Sequence, residues 1–303
     1  MKKKLNILHL ATFKGNIGDN ASHIGLRKIL DIALEGEYSL TRHEIRDYYK
    51  NVSLDFRKYF DEKFVSYINN FDLLIIGGGG FLDYFVQDSL TGTTLDISID
   101  LLDTIRTPIL FSSVGCDPNN FIPNGNEKKF KKFLDYIFQS EKMDILFRND
   151  GSKDNLESNF NVKPCDIKTI LDNGFFFDTT TKIMDSFDDN YIAMNVSFDQ
   201  VNMSGPGSID IKPEIFYSEI RKIVRHIVYR YNINVCFIPH IFSDLKSINF
   251  ILDGLEDSLI RNHIIIAPCI QGDYGANYNF SIYKNSEIVI LSLIHISEPT
   301  RPY

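Results

Sequence analysis

The run Phe71-Asp72-Leu73-Leu74-Ile75-Ile76 passes straight into Gly77-Gly78-Gly79-Gly80. An apolar stretch bounded by glycines, with no polar alternation, predicts a strand buried on both faces of a parallel sheet. Ligands of open α/β sheets bind outside the carboxyl ends of the strands. Backbone without side chains lets N–H groups approach an anionic or sugar ligand closely. A tight strand-to-helix turn is the plainer reading, and one or two glycines would satisfy it. Four in a row favour a site at Gly78, Gly79 and Gly80.

The rest of the chain extends the pattern. Strands are expected at residues 6–10, 72–76, 109–113, 145–147, 191–196, 235–238, 264–267 and 287–290. Helix-like segments lie at 20–34, 56–69, 127–139, 214–231 and 243–255. In 214–231 the residues Ile215, Tyr217, Ile220, Ile223, Val224, Ile227, Val228 and Tyr231 recur at a helical period, and the basic residues between them read as a solvated face. Strand–helix alternation predicts an α/β fold with right-handed crossovers. A chain of 303 residues exceeds one comfortable core, which predicts two domains of ~150 residues. The alternation weakens over 172–190, so the first domain is placed at 1–183 and the second at 190–290. The stretch 200–210, with Ser204-Gly205-Pro206-Gly207-Ser208, reads as a mobile cover or a plain surface excursion.

A net charge of −8 argues against a general nucleic-acid binder, yet allows a small anionic substrate met by a few local arginines. No apolar run approaches a membrane span, and residues 5–10 are too short for a signal peptide. Cys116, Cys165, Cys236 and Cys269 form no C-x-x-C pair, so neither zinc nor a disulfide framework is expected, and a reduced cytoplasm fits.

Several strand ends carry chemistry. Gly15-Asn16-Ile17-Gly18-Asp19-Asn20 follows the first strand and opens a helix. Asp19 or Asn20 can cap that helix, and its N-terminus can meet an anion; cap and binding loop are both open. The spacing fits neither G-x-G-x-x-G nor a P-loop, and Leu82 stands where Gly77–Gly80 would need a further glycine. Ser112-Ser113-Val114-Gly115 ends another strand. Arg148, in Arg148-Asn149-Asp150-Gly151-Ser152, can clamp a carboxylate or phosphate, or pair with Asp150 or Asp154. Asp172-Asn173-Gly174 reads as a turn. Pro239-His240, with Asp244, ends a strand of the second domain. His240 is either a general acid or base or a structural hydrogen-bonder.

The segment 291–301, Leu-Ser-Leu-Ile-His-Ile-Ser-Glu-Pro-Thr-Arg, resembles the translation of a transposase adapter used in sequencing libraries. The tail 291–303 is therefore expected to be non-native, and His295 belongs to no active site.

Together, Gly15–Asp19, residues 73–82, Ser113-Val114-Gly115, Arg148–Ser152 and Pro239-His240 with Asp244 resemble the polysaccharide pyruvyl transferase family. The resemblance implies two Rossmann-like domains facing across a cleft, as in GT-B-like glycosyltransferases, with the second domain incomplete. It implies transfer of a pyruvyl group from phosphoenolpyruvate to two sugar hydroxyls of a glycan or lipid-linked oligosaccharide, forming a ketal. Phosphoenolpyruvate is then a donor substrate, and no separate cofactor or metal is implied. Asn16, Gly18, Asp19, Gly78, Gly79, Gly80 and Arg148 are the candidate substrate-binding residues, and His240 the candidate proton carrier. The family's Arg-Leu-His signature is expected just after residues 286–290, where the adapter-like segment begins, so this chain is expected not to turn over. A nucleotide-sugar-dependent glycosyltransferase and a non-catalytic glycan-binding member are the alternatives.

Overall fold

The computed structural model describes residues 4–50, 52, 54–116, 121–179, 190–201 and 212–291. Most of the glycine-rich loop, 202–211, and residues 292–303 lie outside the described residues, as do the readings given to them. Contacts divide the chain into two compact units, residues 1–13 with 22–176 and residues 14–21 with 177–303.

From β1 to β6 the elements are β1 (Leu5–Ala11), α1 (Ile17–Ala33), β2 (Tyr38–Glu44), α2 (Glu62–Ile68), β3 (Leu73–Gly79), α3 (Ile99–Asp103), β4 (Ile109–Val114), α4 (Asn126–Gln139), β5 (Met143–Arg148), α5 (Ser152–Phe160) and β6 (Thr169–Ile170). The six strands form one parallel sheet in the order β2-β1-β3-β4-β5-β6. Alternate residues of the central strands serve opposite faces. Ile7 and Ile75 pack with Leu26 and Leu30 of α1. Leu8, Leu10, Leu74, Ile76 and Phe111 join Phe130, Phe133, Leu134 and Ile137 of α4 and Leu156 and Phe160 of α5. Both faces are covered, which is why residues 73–76 show no polar alternation. Each such buried side chain contributes roughly 1.5–3 kcal/mol.

The second series is β7 (Tyr191–Asn195), α6 (Phe198–Val201), α7 (Pro213–Tyr231), β8 (Asn234–Phe237), α8 (Asp244–Leu252), α9 (Asp257–His263), β9 (Ile264–Ile266), α10 (Gly272–Lys284) and β10 (Ile288–Leu291). Its strands are parallel in the order β10-β7-β8-β9. Of the apolar face predicted for α7, Tyr217, Ile220, Val224, Ile227 and Val228 pack on Ile192, Met194, Val235 and Phe237, whereas Ile215, Ile223 and Tyr231 stand exposed.

Some elements differ from expectation. β2 is an edge strand reading Tyr-Ser-Leu-Thr-Arg-His-Glu, too polar to announce itself. The helix expected at 56–69 begins only at Glu62, where the Asp61 carboxylate accepts from Phe64 N–H at 3.0 Å. The stretch 272–284 was not expected to be helical, since it carries Gly272, Gly275, Asn277 and Asn279. Packing overrides that propensity: Ala276, Asn279, Phe280, Ile282 and Tyr283 are all buried. No helix among the described residues is long and apolar enough to cross a membrane.

Candidate functional site

In each sheet the chain winds outward one way and then returns to the other side of its first strand. The order reverses between β1 and β3 in one sheet and between β7 and β10 in the other. Crevices at such reversals, at the carboxyl ends of the strands, are where open α/β sheets hold ligands.

At the first reversal the glycine run is not a bare turn. β3 continues through Gly79, with Gly77 paired to Ser112 and Gly79 to Val114. A Cβ on Gly77 would stand 1.9 Å from the Ser112 carbonyl oxygen. Gly78 has φ +80°, and its missing side chain leaves room for Ser22 Oγ and the His23 ring. The plainer reading thus accounts for Gly77 and for the conformation of Gly78. β4 bulges beside this point, where buried Ser113 takes φ +55°. Such a conformation costs a non-glycine residue about 1–2 kcal/mol.

Two histidines that the sequence reading passed over lie under the run. His9 Nε2–H donates to the Gly77 carbonyl at 3.3 Å, and His23 Nε2–H donates to the Thr12 carbonyl at 2.6 Å. Their rings meet edge to face at 4.9 Å, each beside Phe13. Burial pushes the His23 imidazole down to about 4, and burial with the neighbouring His23 pushes His9 well below its usual value. The only sequence signal was a polar residue inside the apolar run Leu8-His9-Leu10.

Arg148, at the end of β5, takes the ion-pair alternative. Its Nε donates to Asp150 Oδ2 at 2.7 Å and its Nη1 to Asp172 Oδ2 at 3.3 Å, and its Nη2 lies 2.7 Å from Asp150 Oδ2 in the ion pair. Gly115 lets this fork lie close to Gly80: a Cβ there would meet Arg148 Nη2 at 2.9 Å and Gly80 Cα at 3.2 Å. Gly80 and Arg148 are therefore brought together. Burial works against the Arg148 charge, but Asp150 and Asp172 hold its pKa above the usual value. Burial raises the Asp172 carboxyl against the pull of Arg148. Asp154 is not the partner; Asp172 is, and it also accepts from Gly174 N–H at 2.7 Å, the turn predicted there.

The start of α1 corrects the capping expectation. The helix opens at Ile17, and Asn16 Oδ1 accepts from Gly18 N–H at 2.8 Å. Asn16 is the cap; Asp19 lies in the first turn, where its negative charge suits the helix dipole.

In the second sheet His240 follows β8 and is 2% exposed. Its Nε2 lies 2.7 Å from the Tyr283 hydroxyl of α10. Burial pushes its pKa down to about 4, so the ring is neutral at pH 7. Asp244, at the start of α8, gathers the strand ends. It accepts from the backbone N–H of His240 at 2.9 Å, Ile241 at 3.2 Å and Phe198 at 3.1 Å, and from Asn195 Nδ2 at 3.4 Å. Burial still raises its carboxyl above the usual value. No group of three or more His, Cys, Asp or Glu among the described residues could hold a metal ion.

Two such parallel α/β units define a Rossmann-like, GT-B-like protein. The chain is similar in structure to the UDP-GlcNAc 2-epimerase of Neisseria meningitidis, at TM-score 0.50 and 12% identity over 96% of this chain and 78% of that one. It is equally similar to a glycosyltransferase of Rickettsia africae ESF-5, at TM-score 0.50 and 12% identity over 94% and 72%. At such identities the likeness shows the fold alone. No curated protein matches the chain. The polysaccharide pyruvyl transferase family matches residues 16–290, nearly the whole chain, and the chain belongs to that family.

Proposed function

We propose that this protein moves a pyruvyl group from phosphoenolpyruvate onto two hydroxyls of a glycan sugar, closing a cyclic ketal. The family match over residues 16–290 carries the reading. The chemistry asks for oriented donors around a phosphate and a carboxylate, a proton for the methylene carbon, and a base for the attacking hydroxyl. Asp150 and Asp172 take the Nε–H and an Nη1–H of Arg148. A guanidinium has five N–H groups, and those not bonded to these carboxylates can meet an anionic group of the donor. The two carboxylates cancel its field, so it contributes directed hydrogen bonds more than attraction. Gly78, Gly79 and Gly80 supply backbone contacts, Asn16 and Gly18 shape the turn that opens α1, and Asp19 orients a sugar hydroxyl. His240, neutral at pH 7, is the proton carrier.

Incubation with phosphoenolpyruvate and candidate glycans tests this. Phosphate release matched by a ketal on the glycan, seen by mass spectrometry, is the expected result for the competent enzyme. Consumption of a sugar nucleotide with phosphoenolpyruvate ignored would replace it with the glycosyltransferase reading. β10, which ends at Leu291, lies beside the reversal in the second sheet. If residues 291–303 are foreign, phosphate release by this chain stays at background and returns when they are exchanged for the genomic continuation. Glycan binding without turnover after that exchange would point to the non-catalytic member.

A further inference from the structure

His240 is held by two neighbours of different kinds. Asp244 fixes its backbone through the 2.9 Å bond from His240 N–H. Tyr283 reaches its ring: the hydroxyl lies 2.7 Å from Nε2, and the two rings stand perpendicular with centroids 5.7 Å apart. Phe280, one turn earlier on α10, packs against both rings at 6.3 and 5.8 Å and offers no polar atom. Tyr283 is 3% exposed, so its hydroxyl is an integral part of the wall around the imidazole. Asp244 and Tyr283 are titratable groups bonded to this residue.

We propose that Tyr283 is the positioning residue of His240: its hydroxyl donates to Nε2 and fixes the imidazole as the Nδ1–H tautomer. A neutral phenol is a stronger acid than a neutral imidazole N–H, so the bond runs from oxygen to nitrogen. Buried groups of this kind commonly set which ring nitrogen carries the proton. With Nε2 engaged, the proton His240 can give is the one on Nδ1. This inference rests on the reading of His240 as proton carrier, but it makes its own claim about the ring.

Nitrogen NMR of the full chain at pH 7.5 reads the tautomer directly, with the His240 signals assigned by their loss in His240→Gln. The expected spectrum shows Nδ1 protonated and Nε2 bare in the wild-type chain. Tyr283→Phe should convert it to a mixture of tautomers and raise the protonation midpoint by about one pH unit, a tenfold change in the protonation constant. Phe280→Leu disturbs the same packing without touching the hydrogen bond and should leave the tautomer unchanged. An Nε2–H tautomer in the wild type, or an unaltered tautomer in a folded Tyr283→Phe chain, overturns the proposal. In the competent enzyme Tyr283→Phe should lower kcat with little change in KM for phosphoenolpyruvate. Unchanged turnover in His240→Gln would instead remove the proton-carrier reading and leave the tautomer result standing.

Discussion

Lowering the pH from 7 to 4 is expected to remove roughly 3 kcal/mol of stability for each of His23 and His240, with His9 adding to the loss. Both imidazoles fall from 6.5 to about 4 on folding, chiefly through burial. At ~1.36 kcal/mol per pH unit, that difference gives the stated size. The sign follows from proton uptake. Above 6.5 neither state binds the proton, and the contribution is fully present. Between 6.5 and 4 the unfolded chain takes up protons that the folded chain refuses, so stability falls as the pH falls. Below 4 both states are protonated and the loss is complete. Asp172 and Asp244 work the other way, because their carboxyls are raised by burial and take up protons more readily folded than unfolded. The histidine slope is therefore cleanest between pH 7 and 5. Urea unfolding across that range should show it, and His23→Asn and His240→Asn should each flatten it by up to one proton. A slope unmoved in the double variant would place the acid sensitivity elsewhere.

How far the sequence could be read follows from where each residue spends its chemistry. Strands covered on both faces are runs such as Leu73–Ile76 and are visible at once. β2 is visible only through its partner, since an edge strand with Arg42, His43 and Glu44 has no apolar run to show. α10 is hidden for a related reason: its glycines and asparagines are poor helix formers held by contacts from distant elements. A Cβ on Gly275 would stand 1.9 Å from the Ile270 carbonyl oxygen. At the candidate site the same limit recurs. Asp150 lies two residues from Arg148 and is a legible partner, whereas Asp172 arrives 24 residues later through β6. Tyr283 meets His240 across 43 residues, a pairing that no local motif encodes. Motif reading finds residues at strand ends, but long-range packing decides which of them share a hydrogen bond.

Gly77→Ala is expected to destabilise the β1–β6 unit by roughly 3–5 kcal/mol, combining overpacking with weakened ladder hydrogen bonds. The added Cβ would stand 1.9 Å from the Ser112 oxygen, 2.9 Å from its carbon and 3.1 Å from its nitrogen. All three are backbone atoms of β4, so no rotamer change can relieve the clash. β4 has little freedom to retreat, because its next residue, Ser113, already occupies φ +55° in the bulge. Gly36→Ala is the matched comparison. Gly36 has φ +74° with nothing within 4 Å of a Cβ, so only the backbone conformation is strained, at about 1–2 kcal/mol. The chain has no tryptophan, so urea unfolding is best followed by far-ultraviolet circular dichroism. An alanine at 77 tolerated as well as one at 36 would defeat the packing account. The outcome separates two origins of the glycine run. A glycine kept only for a ligand would be silent in the unfolding of the free protein, whereas Gly77 should be indispensable before any substrate arrives. Gly80 marks the other side of that division: the atoms its Cβ would meet first belong to the Asp83 side chain, at 2.5 Å, and not to backbone. Its replacement by alanine should therefore spare the fold and register in binding.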